Sequence, residues 1–438
     1  MPHRPLADAL TDDAFAARLD RLAAPRRLAV AVSGGRDSMA LVRLCASHAR
    51  KTGADILTLT VDHGLRAEAS GEAAKAKEWC RRAGLRHRTL RWDGAKPASG
   101  VQVAARGARY RLLIDAAQAE GAEALLTAHT MDDQAETVFM RLARGAGARG
   151  LAAMREESRV AAGAGAPLRL LRPMLSFSRK AVTEYLAGLE QAFVDDPSNE
   201  DDAFERVRVR SLLAALAEQD LLTAPALSDA ARRLADADAR LRSQEDALFG
   251  AAGGCFYGWG GASLDAWPAS APGAAALASR LVYAVGGAAH RPDEGAAADA
   301  MAQAASGGAA TLAGVLIKSW RGRCWLFREP AVLLGRAGVA PAAPERLDRP
   351  LLWDGRFILD PCAAAGLDAG PLGAGAQGFL DAGAGLFQGP PEALTTLPGV
   401  YRNGVLIDAP SLPFKRLTAV RAVCLTRERY DGGIVRFS

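Results

Sequence analysis

Between residues 25 and 145, short apolar bursts alternate with longer stretches in which apolar residues recur at helical spacing. Leu28 to Val32 is compact, apolar and partly β-branched, which marks a buried strand, whereas Asp37 to Ala49 offers Met39, Leu41, Val42 and Leu44 for packing along a helix. The predicted elements are strand 28–32, helix 37–50, strand 54–61, helix 71–83, strand 85–91, helix 101–119, strand 123–127 and helix 132–144. This βαβα order predicts an α/β unit, a parallel sheet with helices on both faces, whose ligands sit beyond the carboxyl ends of the strands. Ser33, Asp62 with His63, and His129 all follow predicted strand ends, so one pocket could collect them.

Further along, residues 178–190 and 203–219 read as helices joined by the turn-rich "DDPSNEDD", and 227–247 as a charged helix. The Gly- and Ala-rich stretches near 251–263 and 270–309 read as loosely packed helices and loops, with a β-hairpin at 311–328. Residues 337–350 are Pro- and Ala-rich, as in a linker. Beyond them, short β-like runs broken by Asp354-Gly355 and Asn403-Gly404 predict hairpin turns. The expected organisation is therefore a catalytic α/β domain over 1–215, a mainly helical middle domain over 216–336, the linker 337–350 and a small β-rich C-terminal domain over 351–438.

Composition adds limits. Half of the 438 residues are hydrophobic, enough for two or three domains. No apolar run reaches the length needed to cross a bilayer, and an N-terminus carrying Asp8, Asp12 and Asp13 lacks the layout of a signal peptide, which predicts a cytoplasmic protein with no membrane partner. The six cysteines are scattered without short pairings, so neither a zinc site nor a disulfide framework is suggested. A formal net charge of +5 is only mildly basic, but arginines cluster at 106, 109 and 111, at 141, 144 and 149, and at 206, 208 and 210. Each cluster alone reads as a solvated helix face.

The candidate chemistry starts at Ser33-Gly34-Gly35-Arg36-Asp37-Ser38, which leads from a strand into a helix. Adjacent glycines let the backbone approach a ligand, and the free N–H groups at the helix start, with the serine hydroxyls, suit a pyrophosphate. A carboxylate beside phosphate oxygens is repelled unless a cation lies between them, so Asp37 points to Mg²⁺ on a nucleotide. No Lys-Ser/Thr pair follows the glycines, which excludes the Walker-type loop. On the next candidate helix Asp132, Asp133 and Glu136 are spaced to share one face near its N-terminus. Acids there also suit the helix dipole alone, so metal binding, amine binding and simple capping all remain open. Asp62 or His63 in "VDHGLR" could contact a base or ribose; Arg106, Arg109 and Tyr110 share a helix face, and Arg206 and Arg210 lie one turn apart, as suits phosphates or developing negative charge.

SGGRDS, VDHGLR, ARGARY, AHTMDDQAET with RLARGAG, RPML at 172–175, and DPSN before an Arg-rich helix occur in the order seen in the tRNA(Ile)-lysidine synthetase family, and over roughly residues 25–215 the chain resembles that family of PP-loop, N-type ATP pyrophosphatases. A looser likeness extends to 310–330 and 352–357. The resemblance implies an adenine nucleotide hydrolase-like fold and a ligase. ATP adenylates the 2-oxo oxygen of the wobble cytidine of tRNA(Ile) with a CAU anticodon, and the ε-amine of free L-lysine then displaces AMP. It implies an ATP site at Ser33, Gly34, Gly35, Arg36, Asp37, Ser38, Asp62, His63 and His129, with Mg²⁺ on Asp37. The catalytic set it implies is Asp37, Arg106, Asp132, Asp133, Glu136, Arg206 and Arg210. The implied partners are the tRNA and lysine, and a homodimer is compatible with it. Two departures stand out: Thr130 replaces a second His, and Val207 an Asn. A thiolation enzyme of the same superfamily would typically need paired cysteines, an amidotransferase would have no use for DPSN with its arginines, and a non-catalytic RNA-binding module would have no use for an intact SGGRDS.

Overall fold

The computed structural model describes residues 9–64, 69–92, 101–161, 167–195, 205–288, 290–336, 340–348, 350–362, 365–378, 387–412, 420–431 and 434–436. The DPSN turn, Leu65 and Arg66 of VDHGLR, and part of the expected linker lie outside them. The chain divides into two units, one formed by residues 1–162, 167–239 and 435–438, the other by 163–166 and 240–434.

In the first unit the order is α1 (Asp12–Arg21), β1 (Arg27–Ala31), α2 (Arg36–Thr52), β2 (Asp55–Asp62), α3 (Ala69–Arg82), β3 (Arg86–Arg91), α4 (Val101–Ala119), β4 (Ala124–Leu126), α5 (Met131–Ala143) and α6 (Ala148–Leu151). There follow β5 (Glu157–Ala161), β6 (Leu168–Leu171), α7 (Arg179–Ala187), α8 (Glu205–Glu218) and α9 (Ala224–Ala251), whose last turns belong to the second unit. Strands β6, β4, β1, β2 and β3 lie side by side in that order and all run parallel, with β5 antiparallel on the outside of β6. Beyond β5 the sheet ends in the C-terminal strand Ile434–Arg436. The α/β expectation thus holds, with the antiparallel edge and α1 as additions.

Successive residues of a strand point to opposite faces, and here both faces are covered. Leu28, Val30, Ile56, Ala124 and Leu126 pack into one core with Phe15, Leu19, Leu41, Leu44 and Val182. Ala29, Leu57, Leu59 and Leu125 pack into the other, under Tyr110, Leu113, Ile114 and Ala117 of α4. That two-sided burial explains the unbroken apolar run of β1. Each fully buried leucine stabilises the unit by about 1.5–3 kcal/mol.

The second unit holds a five-stranded antiparallel sheet ordered β7 (Cys255–Phe256), β8 (Ala262–Leu264), β11 (Arg323–Arg328), β10 (Val315–Trp320) and β9 (Ala309–Leu312). The hairpin expected at 311–328 is two strands of a three-strand meander. The helices α10 (Ala274–Gly286) and α11 (Glu294–Ala305) were expected to be loosely packed, and the structure corrects this. Leu277, Ala278, Leu281, Val282, Ala284 and Val285 are fully buried against Ala297, Met301, Val315, Ile317 and Leu326. Alanine is small enough to let helices approach closely, so an Ala-rich sequence here packs rather than loosens.

Two smaller antiparallel sheets complete the unit: β12 (Glu345–Arg346), β15 (Asp368–Pro371), β16 (Pro398–Arg402) and β17 (Val405–Asp408) in one, β13 (Leu351–Trp353), β14 (Phe357–Asp360) and β18 (Arg421–Cys424) in the other. Strand β12 falls within the stretch read as a linker and pairs with β15. Both anticipated turns occur. Asp354-Gly355 has φ of 49° and 63°, and Asn403-Gly404 has 51° and 77°, the left-handed pair that matches strand twist in tight hairpins. Asp354 also accepts bonds from Arg356 Nε at 2.6 Å and Arg328 at 2.7 Å, and the fully buried Arg356 donates to the Thr396 carbonyl at 2.7 Å.

Among the described residues no helix is long and apolar enough to cross a membrane.

Candidate active site

At the carboxyl ends of the parallel strands the first unit encloses a cavity of about 1030 Å³. Its floor is the turn from β1 into α2. Gly34 has φ of 84°, open to glycine at little cost, and a Cβ there would lie 3.3 Å from Val194 Cγ2. The Val194 N–H donates to the Gly34 carbonyl at 2.9 Å, so the segment 193–195 rests on the turn. The Ser38 hydroxyl donates to the Gly35 carbonyl at 2.8 Å and accepts from the Ser33 N–H at 3.2 Å, which folds the loop back on its own helix. Gly35 caps α2 without a side-chain acceptor, so donors at the helix start are left to a ligand. Ser33, Gly35, Arg36, Asp37 and Ser38 line the cavity.

Asp37 sits in the first turn of α2 with its Oδ1 3.2 Å from Arg36 Nε. Burial pushes its carboxyl above the usual range and the nearby Asp133 adds to that, against the pull of Arg36 and Arg179. Such a carboxyl favours a cation at the cavity.

The second wall is the start of α5. The Met131 N–H donates to the Phe177 carbonyl at 2.9 Å, which ties this helix start to the segment before α7. Thr130, fully buried, caps the helix. Its N–H donates to Asp133 Oδ2 at 2.8 Å while its hydroxyl accepts from the Asp133 N–H, a reciprocal box that a histidine could not form in the same way. Burial holds the neighbouring His129 ring down to about 3, Arg172, Arg106 and Arg206 add to this, and Asp133 opposes it, so the ring is neutral. Its Nδ1 lies 3.0 Å from the Thr127 hydroxyl. Burial works against ionisation of Asp133, yet His129, Arg206, the Thr130 N–H and Arg179 outweigh it and keep the carboxyl below its ordinary range.

The three acids of α5 do not act as one cluster. Asp133 lines the cavity; Asp132 accepts the Arg179 N–H at 2.7 Å, and Glu136, 1% exposed, lies beneath three guanidinium groups. Arg206 Nε reaches Glu136 Oε2 at 2.7 Å, and Arg210 Nε and Arg179 reach Oε1 at 2.9 and 3.2 Å. Arg179, Arg206 and Arg210 all line the cavity, as do Arg106 and Arg109. Arg179 escaped the sequence reading. The signal available was a basic residue directly after Ser178, itself placed to cap α7, where its side chain accepts from the Ala181 N–H. Arg109 Nε donates to His63 Nε2 at 3.3 Å, so His63, which lines the cavity, is oriented by an arginine. Asp62 is turned aside, its Oδ1 accepting the Gly64 N–H at 2.9 Å.

The arginines of the middle cluster hold structure. Arg141 donates to the Gly150 and Ala153 carbonyls at 2.7 and 3.2 Å, and Arg149 meets Asp238 of α9 at 2.9 Å. Val207 lines the cavity beside Arg206 and Arg210.

A PP-loop domain family model matches residues 11–216. A tRNA(Ile)-lysidine synthase of Brucella suis biovar 1 (strain 1330) is 35% identical over 400 residues, which cover 87% of this chain and 85% of that protein. The chain belongs to the tRNA(Ile)-lysidine synthase family. A member from Bradyrhizobium sp. (strain BTAi1) is 50% identical over 226 residues, 50% of this chain and 62% of that protein, so this match spans less than two thirds of the relative. A member from Methylobacterium nodulans is 43% identical over 260 residues, covering 59% of this chain and 74% of that protein. The PP-loop match contains the whole cavity, from Ala31 to Ser211.

Proposed function

We propose that this chain is a cytoplasmic ligase that joins free L-lysine to the wobble cytidine of tRNA(Ile) bearing a CAU anticodon, with ATP cleaved to AMP and pyrophosphate. The observation that carries the reading is the resemblance to lysidine synthases over most of the chain, combined with a cavity whose one end suits phosphates and whose other end pairs acids with arginines.

In this reading the α2 N-terminus, with Ser33, Gly35 and Ser38, binds the pyrophosphate part of ATP. Asp37 would hold Mg²⁺, and the fit is chemical: a cavity-facing carboxyl whose ionisation is disfavoured by burial and by Asp133 gains most from a cation. Bound there, the ion would neutralise phosphate charge. His63, oriented by Arg109, and His129, a neutral ring, would orient nucleotide or base, with Arg36 at the margin of the same site. Arg106, Arg206 and Arg210 would face the phosphates and the activated base, where a guanidinium fork stabilises charge developing on oxygen.

The lysine ammonium must lose a proton before its nitrogen can attack the ring carbon that carries the adenylated oxygen. Asp133, the acid of α5 that lines the cavity, would receive that ammonium, with Asp132 and Glu136 behind it fixing the surrounding arginines. His129, pushed down to about 3 by burial, and Asp133, held below the ordinary carboxylate range, are both too weak as bases to keep the proton near neutral pH, so in this reading it passes to solvent as the C–N bond forms and AMP leaves. Residues 216–336 and 351–438 would serve to grip the tRNA, and a homodimer is compatible with the reading. The test is product analysis. AMP and pyrophosphate should form in equal amounts only when ATP, the tRNA and lysine are all present, and formation without RNA would overturn the assignment.

A further inference from the structure

We infer that Arg179 is a positioning residue for lysine transfer, one that holds the acids of α5 in place against the cavity. The inference rests on the functional reading above and adds to it a residue on a different element.

Arg179 opens α7, and a single residue there engages all three acids of α5. Its backbone N–H donates to Asp132 Oδ2 at 2.7 Å. Its guanidinium lies 3.2 Å from Glu136 Oε1 and 3.6 Å from Asp133 Oδ1. The side chain is 17% exposed and lines the cavity. Both guanidinium contacts come from one terminal nitrogen, Nη2, so the shorter side chain of a lysine would keep the charge but not the full reach to both carboxylates.

The location matters as much as the contacts. Glu136 is shared by Arg179 from α7 and by Arg206 and Arg210 from α8. Without Arg179, Glu136 Oε1 would be held by Arg210 alone, and Asp133 Oδ1 would keep only Arg206 at 3.7 Å. Glu136 would stay fixed by Arg206 and Arg210, whereas Asp133, still capped through Oδ2 by Thr130, would lose the closer of the two guanidinium groups on Oδ1, and Asp133 is the acid that faces the substrate. The pyrophosphate cradle, by contrast, is built from the β1–α2 turn and takes no hydrogen bond from Arg179 among the contacts described; Arg179 reaches it only through a longer-range charge interaction with Asp37. Loss of the guanidinium should therefore weaken handling of the amine more than handling of ATP.

The full-length protein would be compared with Arg179→Gln and Arg179→Lys in steady-state lysine transfer to tRNA(Ile), with melting temperatures measured alongside. Arg179→Gln should raise KM for lysine by about tenfold or more, the size expected when a charge-assisted contact is lost, and leave KM for ATP within about twofold. Arg179→Lys keeps the charge and the backbone bond to Asp132, so it should recover part of the lysine KM and fold if the Gln variant does not. Equal changes in both KM values, or an unchanged lysine KM in both variants, would overturn the inference. Failure of the unsubstituted protein to transfer lysine would instead overturn the functional reading, and the inference with it.

Discussion

Glu136 and Arg206 meet through a 2.7 Å bond between a carboxylate that is 2% exposed and a guanidinium that is 39% exposed. The acid is the fixed member of this pair and the base the member that reaches the cavity. Removing them should therefore have unequal consequences. Arg206→Ala leaves Glu136 with Arg179 and Arg210, so turnover should fall at least tenfold while the melting temperature moves by only a few degrees. Glu136→Gln leaves three arginines facing a neutral group and should cost about 1–3 kcal/mol of stability. Turnover and thermal unfolding of both variants check this; a collapse of stability in Arg206→Ala with little change in rate per folded molecule would mark that arginine as structural.

Asp37→Asn should keep the fold and abolish AMP formation, because the amide retains the shape of the side chain but not the charge proposed to hold Mg²⁺. The measurement is AMP release at saturating ATP, with unfolding as control. Normal AMP release would remove Asp37 from the metal site.

His129 gives a pH prediction whose sign follows from burial. Its folded pKa, about 3, lies below the ordinary value of 6.5, so between these limits the unfolded chain binds the extra proton. Stability should be complete above about pH 6.5 and decline as pH falls toward 3, by up to about 2 kcal/mol at pH 5 from this group. Chemical denaturation of wild type and His129→Gln at pH 7 and pH 5 reads the difference. Equal pH dependence in the two proteins would show that the ring is not held neutral.

Much of this arrangement was legible in the chain because local rules and tertiary structure agree there. The β1–α2 turn needs glycine at φ 84° and small polar side chains around it, and SGGRDS states both requirements in six residues. The acids and arginines were visible as types. Their division of labour was not, because it depends on contacts across long separations: Arg206 is 70 residues from Glu136, and Arg179 is 43. The tight packing of α11 was hidden for another reason, since its Ala-rich sequence carries little periodicity of its own and is ordered by Leu281, Val315 and Ile317 of the core it joins. Thr130 shows the converse, a residue whose role as a cap emerges only with Asp133 in place.

In the second unit Asp354 joins a hairpin turn to the buried Arg356 and the half-buried Arg328. Asp354→Ala should destabilise that unit by about 3–5 kcal/mol, because Arg356 is left charged and buried without its acid. Unfolding in urea, followed by tryptophan fluorescence, reports on Trp353 beside the turn. A loss below 1 kcal/mol would show that Arg356 is satisfied by the Thr396 carbonyl without help.

Binding of tRNA should weaken steeply with salt through release of counterions from the phosphates. Titration between low and moderate salt gives the slope, and a flat response would contradict a role for the arginines around the cavity in RNA contact.

The most direct measurement is incorporation of labelled lysine into tRNA(Ile) transcripts with a CAU anticodon, in the presence of ATP and Mg²⁺, beside methionine tRNA with the same anticodon. Incorporation confined to the isoleucine tRNA and absent when its wobble cytidine is replaced is the predicted result. No incorporation, with AMP still formed on another RNA or with another amine, would contradict lysidine synthesis.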